Sequence, residues 1–172
     1  TMVAIRIRTD TTGATLMLGK LGAAVRNWNV PLRAFGRILV RSITENFEAE
    51  GRPKAWRPLA EATLFSRLGV GRLVGKKGKE LKRAQKRLAN VKILQDSGVL
   101  KNSQRAEVSN NTLRVGPTGP AALYGRIHQF GGKAGRGKKT TIPARPFLVV
   151  QDEDLIELKD LMTDHIEKQI KG

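Results

Sequence analysis

The stretch Tyr124–Leu148 constrains the fold more than any other part of this sequence. It begins as a short amphipathic run, breaks at Gly131-Gly132, continues as a Gly/Lys/Arg loop and ends in the segment Ile142–Leu148, which contains two prolines. Each proline fixes its own φ and favours extended geometry in the residue before it. The apolar pair that ends the stretch is therefore expected to enter the core at a defined angle, directly ahead of an acidic C-terminal helix.

The loop between Gly131 and Thr141 is rich in glycine and basic residues. A segment of this composition has little apolar surface with which to fold alone, so we expect it to be mobile in a free subunit. A rigid return after such a loop would present the loop to a partner, although a surface loop without a partner fits the composition equally well. Its cationic side chains are Lys133, Arg136, Lys138 and Lys139.

The charge of the chain is divided very unevenly along its length. The net charge is +17, but residues 152–172 contain seven acids and three lysines, a net of −4, so the first 151 residues carry +21. This asymmetry is typical of proteins that bind polyanions, and it also suits head-to-tail docking of identical subunits through opposite charges. A solvated basic surface without a partner is the alternative.

The most basic segment is a Gly/Lys/Arg-rich insertion at about residues 69–92. Residues 71–92 contain nine basic side chains and one acid, Glu80. The segment lacks aromatic side chains for base stacking, so any contact with nucleic acid would be to phosphates and indifferent to sequence. We call it the basic arm, and its candidate contact residues are Lys76, Lys77, Lys79, Lys82, Arg83, Lys86 and Arg87.

Hydrophobic periodicity predicts an α+β fold in a single domain that spans residues 1–172. The alternation in Val3–Arg8 indicates a strand, and residues 105–116, with Asn110-Asn111 at the centre, indicate a β-hairpin. We expect these to form a small antiparallel sheet packed by amphipathic helices. Helices are predicted at about Leu16–Asn27, from Pro31 to about Phe47, from near Leu59, from Tyr124 and from Asp152, the last with an apolar stripe of Leu155, Leu158, Met162, Ile166 and Ile170.

No catalytic, metal or cofactor motif is complete in this sequence. Gly132–Lys138 approaches the phosphate-loop pattern, but Lys139 stands where that loop needs Ser or Thr to hold magnesium. His128 and His165 are the only histidines and cysteine is absent, so histidine-rich metal sites, thiolate sites and disulfides are excluded. A hydrolase that uses His128 is a distant alternative. We therefore expect no cofactor and no enzymatic activity. No apolar run approaches the ~20 residues of a membrane span, and we expect the chain to be intracellular when made.

Four segments stand out along the chain, in this order: Trp56–Leu59 with Thr63, Ile93–Leu100 with Ser97-Gly98, Tyr124–Gly132 and Ile142–Leu148. In this order they resemble the tail-completion (virion morphogenesis) proteins of Mu-like and P2-like tailed phages. The resemblance covers roughly the last two thirds of the chain, and it lies in the order of the segments rather than in any one of them. The basic arm departs from the family pattern, which passes more directly from the first segment to the second.

The resemblance implies a structural protein of the virion that is assembled in the host cytoplasm. Proteins of this kind complete or terminate the tail at its head-proximal end, as a tail terminator does, and ready it for head–tail joining at the neck. They are commonly ring oligomers, often hexamers. The implied partners are other copies of the chain, the tail tube or sheath, and neck or connector proteins, with possible non-specific contact with passing DNA and no membrane.

Four residues within these segments are the expected assembly contacts: Trp56, His128, Arg145 and Phe147. Arg145 lies between two proline-restricted positions, so its guanidinium would be aimed at a carboxylate with little loss of entropy. An arginine that caps a local carbonyl group is the alternative for this position. For the whole chain, the alternative function is that of a basic protein that binds nucleic acid without sequence preference.

Overall fold

A computed structural model describes residues 12–68 and 90–171. These residues form the predicted α+β fold. The predicted N-terminal strand and the residues of the basic arm named above lie outside the described ranges. The elements are α1 (Thr12–Ala24), α2 (Asn29–Glu48), α3 (Glu61–Leu68), α4 (Val99–Asn102), β1 (Gln104–Ser109), β2 (Thr112–Pro117), α5 (Pro120–Phe130), β3 (Gly132–Ala134), a 3-10 turn (Arg136–Lys138), β4 (Thr140–Ile142) and α6 (Asp152–Lys171).

Helix α2 is the central element, with the hairpin β1–β2 on one side and α6 on another. Its buried apolar residues recur at the three- and four-residue spacing of one helical face: Phe35, Leu39, Ile43 and Phe47. Gly36 lies on the same buried face, where a Cβ atom would be only 2.8 Å from the Cβ of Ala106 in β1. The absence of a side chain at this position therefore lets the helix approach the hairpin.

The hairpin β1–β2 is antiparallel and confirms the predicted hairpin at residues 105–116. Ser109 pairs with Thr112, which leaves Asn110 and Asn111 as a two-residue turn with φ of 49° and 57°. Positive φ at both central positions is the requirement of a type I′ turn, and asparagine tolerates it better than most residues do. Asn111 also fastens the turn to the start of α2, because its Oδ1 accepts a hydrogen bond from the amide of Trp28 at 2.9 Å.

The core is aromatic at its centre although aromatic residues are few in the chain. Phe47 and Phe147 have no exposed surface and their ring centroids are 5.3 Å apart. Trp56 meets Phe47 edge to face at 5.6 Å, one of the favoured geometries for an aromatic pair. The surrounding cluster is completed by Ile43, Ile93, Leu94, Leu100 and Ala121.

The segment predicted as a basic Gly/Lys/Arg loop is a short hairpin instead. Strands β3 and β4 pair antiparallel, with Gly132 opposite Ile142 and Ala134 opposite Thr140. The chain turns out of α5 at Gly131, where φ is +73° and a Cβ atom would be 2.8 Å from the backbone nitrogen of Ala144. Glycine at this position permits both the conformation and the close approach, which the composition of the loop alone did not reveal.

Helix α6 begins at Asp152 as predicted, and a buried carboxylate fixes its first turn to α2. Asp154 is fully buried and its Oδ2 accepts hydrogen bonds from the Ser42 hydroxyl at 2.8 Å and from the amide of Gln151 at 2.9 Å. The predicted apolar stripe is only partly buried, and its first member, Leu155, is 53% exposed. No helix in the described part of the chain is long and apolar enough to span a membrane.

Candidate functional site

The segment Ile142–Leu148 is held in place by side chains from α2, from the stretch before α3 and from α5. Trp56 donates its indole N–H to the carbonyl of Pro146 at 2.8 Å. Gln129 in α5 accepts from the amides of Phe147 and Leu148, both at 2.9 Å, and donates to the carbonyl of Leu148 at 3.1 Å. Residues 146–148 pair with no strand in the described part of the chain, so these side-chain bonds provide partners for their backbone groups.

Arg145 is buried and bonds to the backbone of the segment that contains Trp56. Its Nε donates to the carbonyl of Arg57 and its Nη2 donates to the carbonyl of Pro58, both at 2.9 Å. The amide of Arg145 donates to the carbonyl of His128 at 2.7 Å. The residue therefore links three of the four segments that carry the resemblance. These side-chain bonds reach carbonyl groups 88 and 87 residues away in the chain, so Arg145 joins distant segments rather than capping a local carbonyl group.

The second segment, Ile93–Leu100, joins the same core through two polar contacts. Glu50 accepts a hydrogen bond from the amide of Ile93 at 2.6 Å, and Gln95 donates to the carbonyl of Phe47 at 2.6 Å. All four segments thus converge around Phe47 and Phe147. The four segments therefore pack together in one core.

An open cleft of about 860 Å³ lies between α3 and β4, and we call it the arginine cleft. His128 forms part of its wall. Its charged lining residues are three arginines and one acid, and its apolar lining includes parts of Leu59, Leu94, Ile142 and Pro143. The charged residues are Arg57, Arg67, Arg145 and Glu61.

The positive charges of the arginine cleft affect the ionisation of the groups within it. Burial lowers the pKa of His128 below its ordinary value of 6.5, and the nearby charges of Arg145 and Arg67 lower it further. Burial also lowers the pKa of Arg145, with smaller contributions from Arg67 and Arg57. The Nδ1 atom of His128 is buried and makes no hydrogen bond to any described residue. The cleft therefore favours the neutral form of His128 and the binding of negatively charged groups.

Only Arg67 among the cleft arginines has an acidic partner within residues 12–68 and 90–171. Its Nε lies 3.4 Å from Asp96, and its Nη1 donates to the carbonyl of Lys92 at 2.9 Å. Arg57 is exposed and its side chain bonds to none of the described residues. In the same ranges, no three His, Asp or Glu side chains gather closely enough to hold a metal ion.

Comparison with known proteins assigns the chain to a family. The sequence profile of the phage virion morphogenesis family matches residues 9–167. The chain belongs to this family. The Mu-like prophage FluMu G protein 2 of Haemophilus influenzae is 31% identical over 157 residues, which cover 91% of this chain and 91% of that protein. No solved structure matches the chain.

The resemblance seen in the sequence is thus confirmed, and the chain has a structural or morphogenetic role in the phage virion. Of the four residues expected at an interface in this virion morphogenesis protein, Trp56, Phe147 and Arg145 are buried within the subunit. The geometry accounts for them there, and their expected role in assembly stays a prediction. His128 is half-buried at the cleft and is the one of the four that keeps substantial contact with solvent.

The cationic contact residues predicted for the virion morphogenesis protein fall into two groups. Lys133, Arg136 and Lys139 are exposed on the hairpin β3–β4, and Lys138 lies in the same turn. The arginine cleft borders this hairpin through Thr140, Thr141 and Ile142. The candidate residues of the basic arm lie outside the described ranges, so their contact role stays a prediction.

Two amides that organise the site were missed in the sequence. Gln129 is described above, and Asn46 is fully buried on α2, where its Nδ2 donates to the carbonyl of Phe147 at 3.1 Å and its Oδ1 accepts from Nε of Arg52 at 2.9 Å. The sequence did contain a signal for the burial of Asn46, because this residue follows Leu39 and Ile43 at the spacing of the apolar face of the helix. A polar residue in such a position needs hydrogen-bond partners, and the chain that crosses the core supplies them.

Proposed function

We propose that this chain is a non-catalytic structural protein that completes the phage tail at its head-proximal end and readies it for head–tail joining. It acts as a closed ring of identical subunits, with six copies as the expected number. The observation that carries the proposal is the family match over residues 9–167, together with the relative aligned over 91% of both chains. The expected neighbours are the tail tube or sheath and the neck proteins.

The surface of the subunit supports an assembled state. Helix α1 contains one charged residue, Lys20, and exposes three consecutive apolar side chains, Leu16, Met17 and Leu18, each more than half exposed. Exposed apolar side chains on so apolar a helix favour contact with another molecule. A helix with so little polar surface is suited to a covered position.

The uneven distribution of charge supports contacts that run head to tail. An acidic surface and a basic surface on one subunit can each meet the opposite surface of a neighbour, and such a heterologous contact closes into a ring when the rotation permits. The exposed cations Lys133, Arg136 and Lys139 also suit non-specific contact with DNA that passes through the ring. Nucleic-acid binding by a monomer is the rival function.

Deletion and complementation of the gene would test the proposal. Particles made without the chain are expected to show separate heads and tails, with tails that are incomplete at the head-proximal end. Supplying the chain in trans restores joined, infectious particles. Normal joined particles in the deletion strain would contradict the proposal. A monomer that binds duplex DNA with steep salt dependence, and that is absent from the particles, would favour the rival.

A further inference from the structure

Helix α6 carries a row of four exposed side chains, three of which are carboxylates. Asp152, Ile156, Asp160 and Asp164 follow one another at four-residue intervals, so they lie along one face of the helix over about 18 Å. All four are exposed, and Ile156 is 63% exposed. The three carboxylates make no hydrogen bond or ion pair with any described residue. We call this face the acidic row.

The other acids of α6 are occupied, which distinguishes them from the acidic row. Asp154 is bonded to Ser42 and Gln151. Glu153 lies 3.1 Å from Nη1 of Arg52, Glu157 pairs with Arg41, and Glu167 lies 2.8 Å from Nζ of Lys171. The acids that hold the helix in place are therefore separate from those left facing outwards.

The arginine cleft complements the acidic row, because it contains positive charges without a carboxylate partner in the described part of the chain. Arg145 is 5% exposed, and its hydrogen bonds in the described part of the chain are to two neutral carbonyl groups, so its buried charge has no carboxylate partner there. Burial of a charge without an opposite charge is costly. The two bonds use Nε and one hydrogen of Nη2, which leaves the donors on the Nη1 side for an incoming carboxylate. Arg57 adds a second guanidinium on the same lining that pairs with no acid in residues 12–68 and 90–171.

We propose that the acidic row of one subunit docks into the arginine cleft of the next subunit in the ring. This inference rests on the proposed function, because it needs a second copy of the chain. Carboxylates of the row meet Arg57 and Arg145, and Ile156 meets the apolar lining formed by Leu59 and Ile142. Glu61 lies on the cleft lining and Asp96 lies 3.4 Å from Arg67, so the three arginines exceed these two acids by one positive charge.

The charge and the mixed polar and apolar lining of the cleft indicate which molecule binds there. The same chain presents, on one face of α6, three carboxylates without an ion pair to any described residue and an isoleucine among them. The cleft offers guanidinium groups beside aliphatic surface. Nucleic acid would use the guanidinium groups but has no counterpart for the aliphatic part of the lining. The contact is heterologous, so repetition around an axis closes a ring.

Charge reversal in the full-length chain tests the contact. The cleft variant is Arg57→Glu, and the row variant is Asp160→Lys with Asp164→Lys. These positions are exposed and bond to no described side chain, so both variants should fold like the wild type. Each variant alone should raise the concentration needed for self-association at least about tenfold in sedimentation velocity. Arg33→Glu, at an exposed position on α2, is the matched control and should assemble normally.

Mixing the two variants gives a sharper result. The intact row of the cleft variant can dock into the intact cleft of the row variant, so the mixture should associate at concentrations at which each variant alone is monomeric. Combining Arg57→Glu with Asp160→Lys and Asp164→Lys in one chain should recover part of the self-association. A mixture that stays monomeric overturns the proposed pairing.

The remaining outcomes separate this inference from the proposed function. If the wild type and both variants assemble into the same ring, the ring stands and the docking contact is wrong. If the wild type is monomeric in solution, the readout is incorporation into tails, and equal incorporation of both variants and the Arg33→Glu control overturns the contact. If Arg57→Glu loses binding of a fluorescent duplex oligonucleotide while assembly is unchanged, the cleft is a nucleic-acid site and the contact is wrong. A wild-type chain absent from tails contradicts both.

Discussion

At the scale of single residues, Arg145 joins two extended segments through their backbones. Its guanidinium reaches the carbonyls of Arg57 and Pro58, and its own amide reaches the carbonyl of His128. The flanking prolines hold the backbone extended, so the side chain is directed with little conformational choice. The charge of the residue contributes to the cleft while its hydrogen bonds contribute to the fold.

Replacing Arg145 should therefore lower stability. Arg145→Ala removes two hydrogen bonds and leaves two carbonyl groups without partners, which should reduce the free energy of unfolding by about 2–4 kcal/mol. The stability of Arg145→Lys should lie between those of Arg145→Ala and the wild type, because an ammonium group cannot reproduce the planar geometry of the guanidinium. Urea denaturation measures the difference. Arg57→Ala is the control and should change stability by less than about 0.5 kcal/mol. Wild-type stability in Arg145→Ala would contradict a role in the fold.

His128 should make stability depend on pH in a defined direction. Its pKa in the folded protein is lowered by burial and by Arg145 and Arg67, whereas in the unfolded chain it is near 6.5. Below that pH the unfolded state binds more protons, so stability should fall as pH decreases from about 6.5 towards the lower folded pKa, and His128 should have no effect well above 6.5.

The comparison uses His128→Asn, which removes the titrating group. Urea denaturation at about pH 5.5 and about pH 7.5 should show a larger loss of stability on acidification for the wild type than for the variant. The carboxylates titrate in both proteins, so their contribution cancels when the variant is compared with the wild type. An equal loss in the two proteins would show that the environment of His128 does not disfavour its protonation.

At the scale of elements, the approach of α2 to the hairpin β1–β2 depends on a missing side chain. A Cβ atom at Gly36 would be 2.8 Å from Ala106 Cβ and 3.1 Å from Leu113 Cδ1. Gly36→Val should therefore separate the two elements and lower stability by about 1–3 kcal/mol, measured by thermal or urea denaturation. Gly19→Ala on α1, where a Cβ atom meets nothing within 4 Å, should instead raise stability by about 0.5–1 kcal/mol. A tolerated Gly36→Val would mean that the packing adapts.

The hairpin β3–β4 should contribute charge to function without contributing to the core. Lys133, Arg136 and Lys139 are exposed, and their side chains bond to none of the described residues. Changing all three to serine should alter stability by less than about 1 kcal/mol in urea denaturation. The same variant should reduce the salt-dependent affinity for a duplex oligonucleotide. Unchanged affinity would indicate that these cations do not contact nucleic acid.

Some of these elements follow from local sequence and others do not. The helices α2 and α6 and the hairpin β1–β2 were predictable, because apolar spacing, early acids and paired asparagines act over a few residues. The hairpin β3–β4 was not, because glycine and basic residues carry no periodic signal and its entry depends on how Gly131 meets Ala144. The arginine cleft was also missed as a whole. It forms from α3, α5 and β4, which only the tertiary fold brings together.

At the scale of the whole molecule, two surfaces of opposite charge have charged groups without an ion-pair partner in the described part of the subunit. One is the acidic row on α6 and the other is the arginine cleft. The family assignment supplies the context in which repeated copies would meet, and the exposed apolar residues of α1 add a further surface that assembly would cover. Exposed charge pairs are screened within about 10 Å at 0.1 M salt, so assembly should weaken as salt increases. Light scattering across a salt series measures this, and assembly that strengthens with salt would favour the apolar surface as the main contact.

Electron microscopy of tails isolated from particles that carry a small tag on this chain tests the central claim most directly. The account predicts a closed ring of rotational symmetry at the head-proximal end of each tail, labelled by the tag and missing from tails made without the chain. Label along the tube, at the opposite end or on no part of the tail would contradict the account.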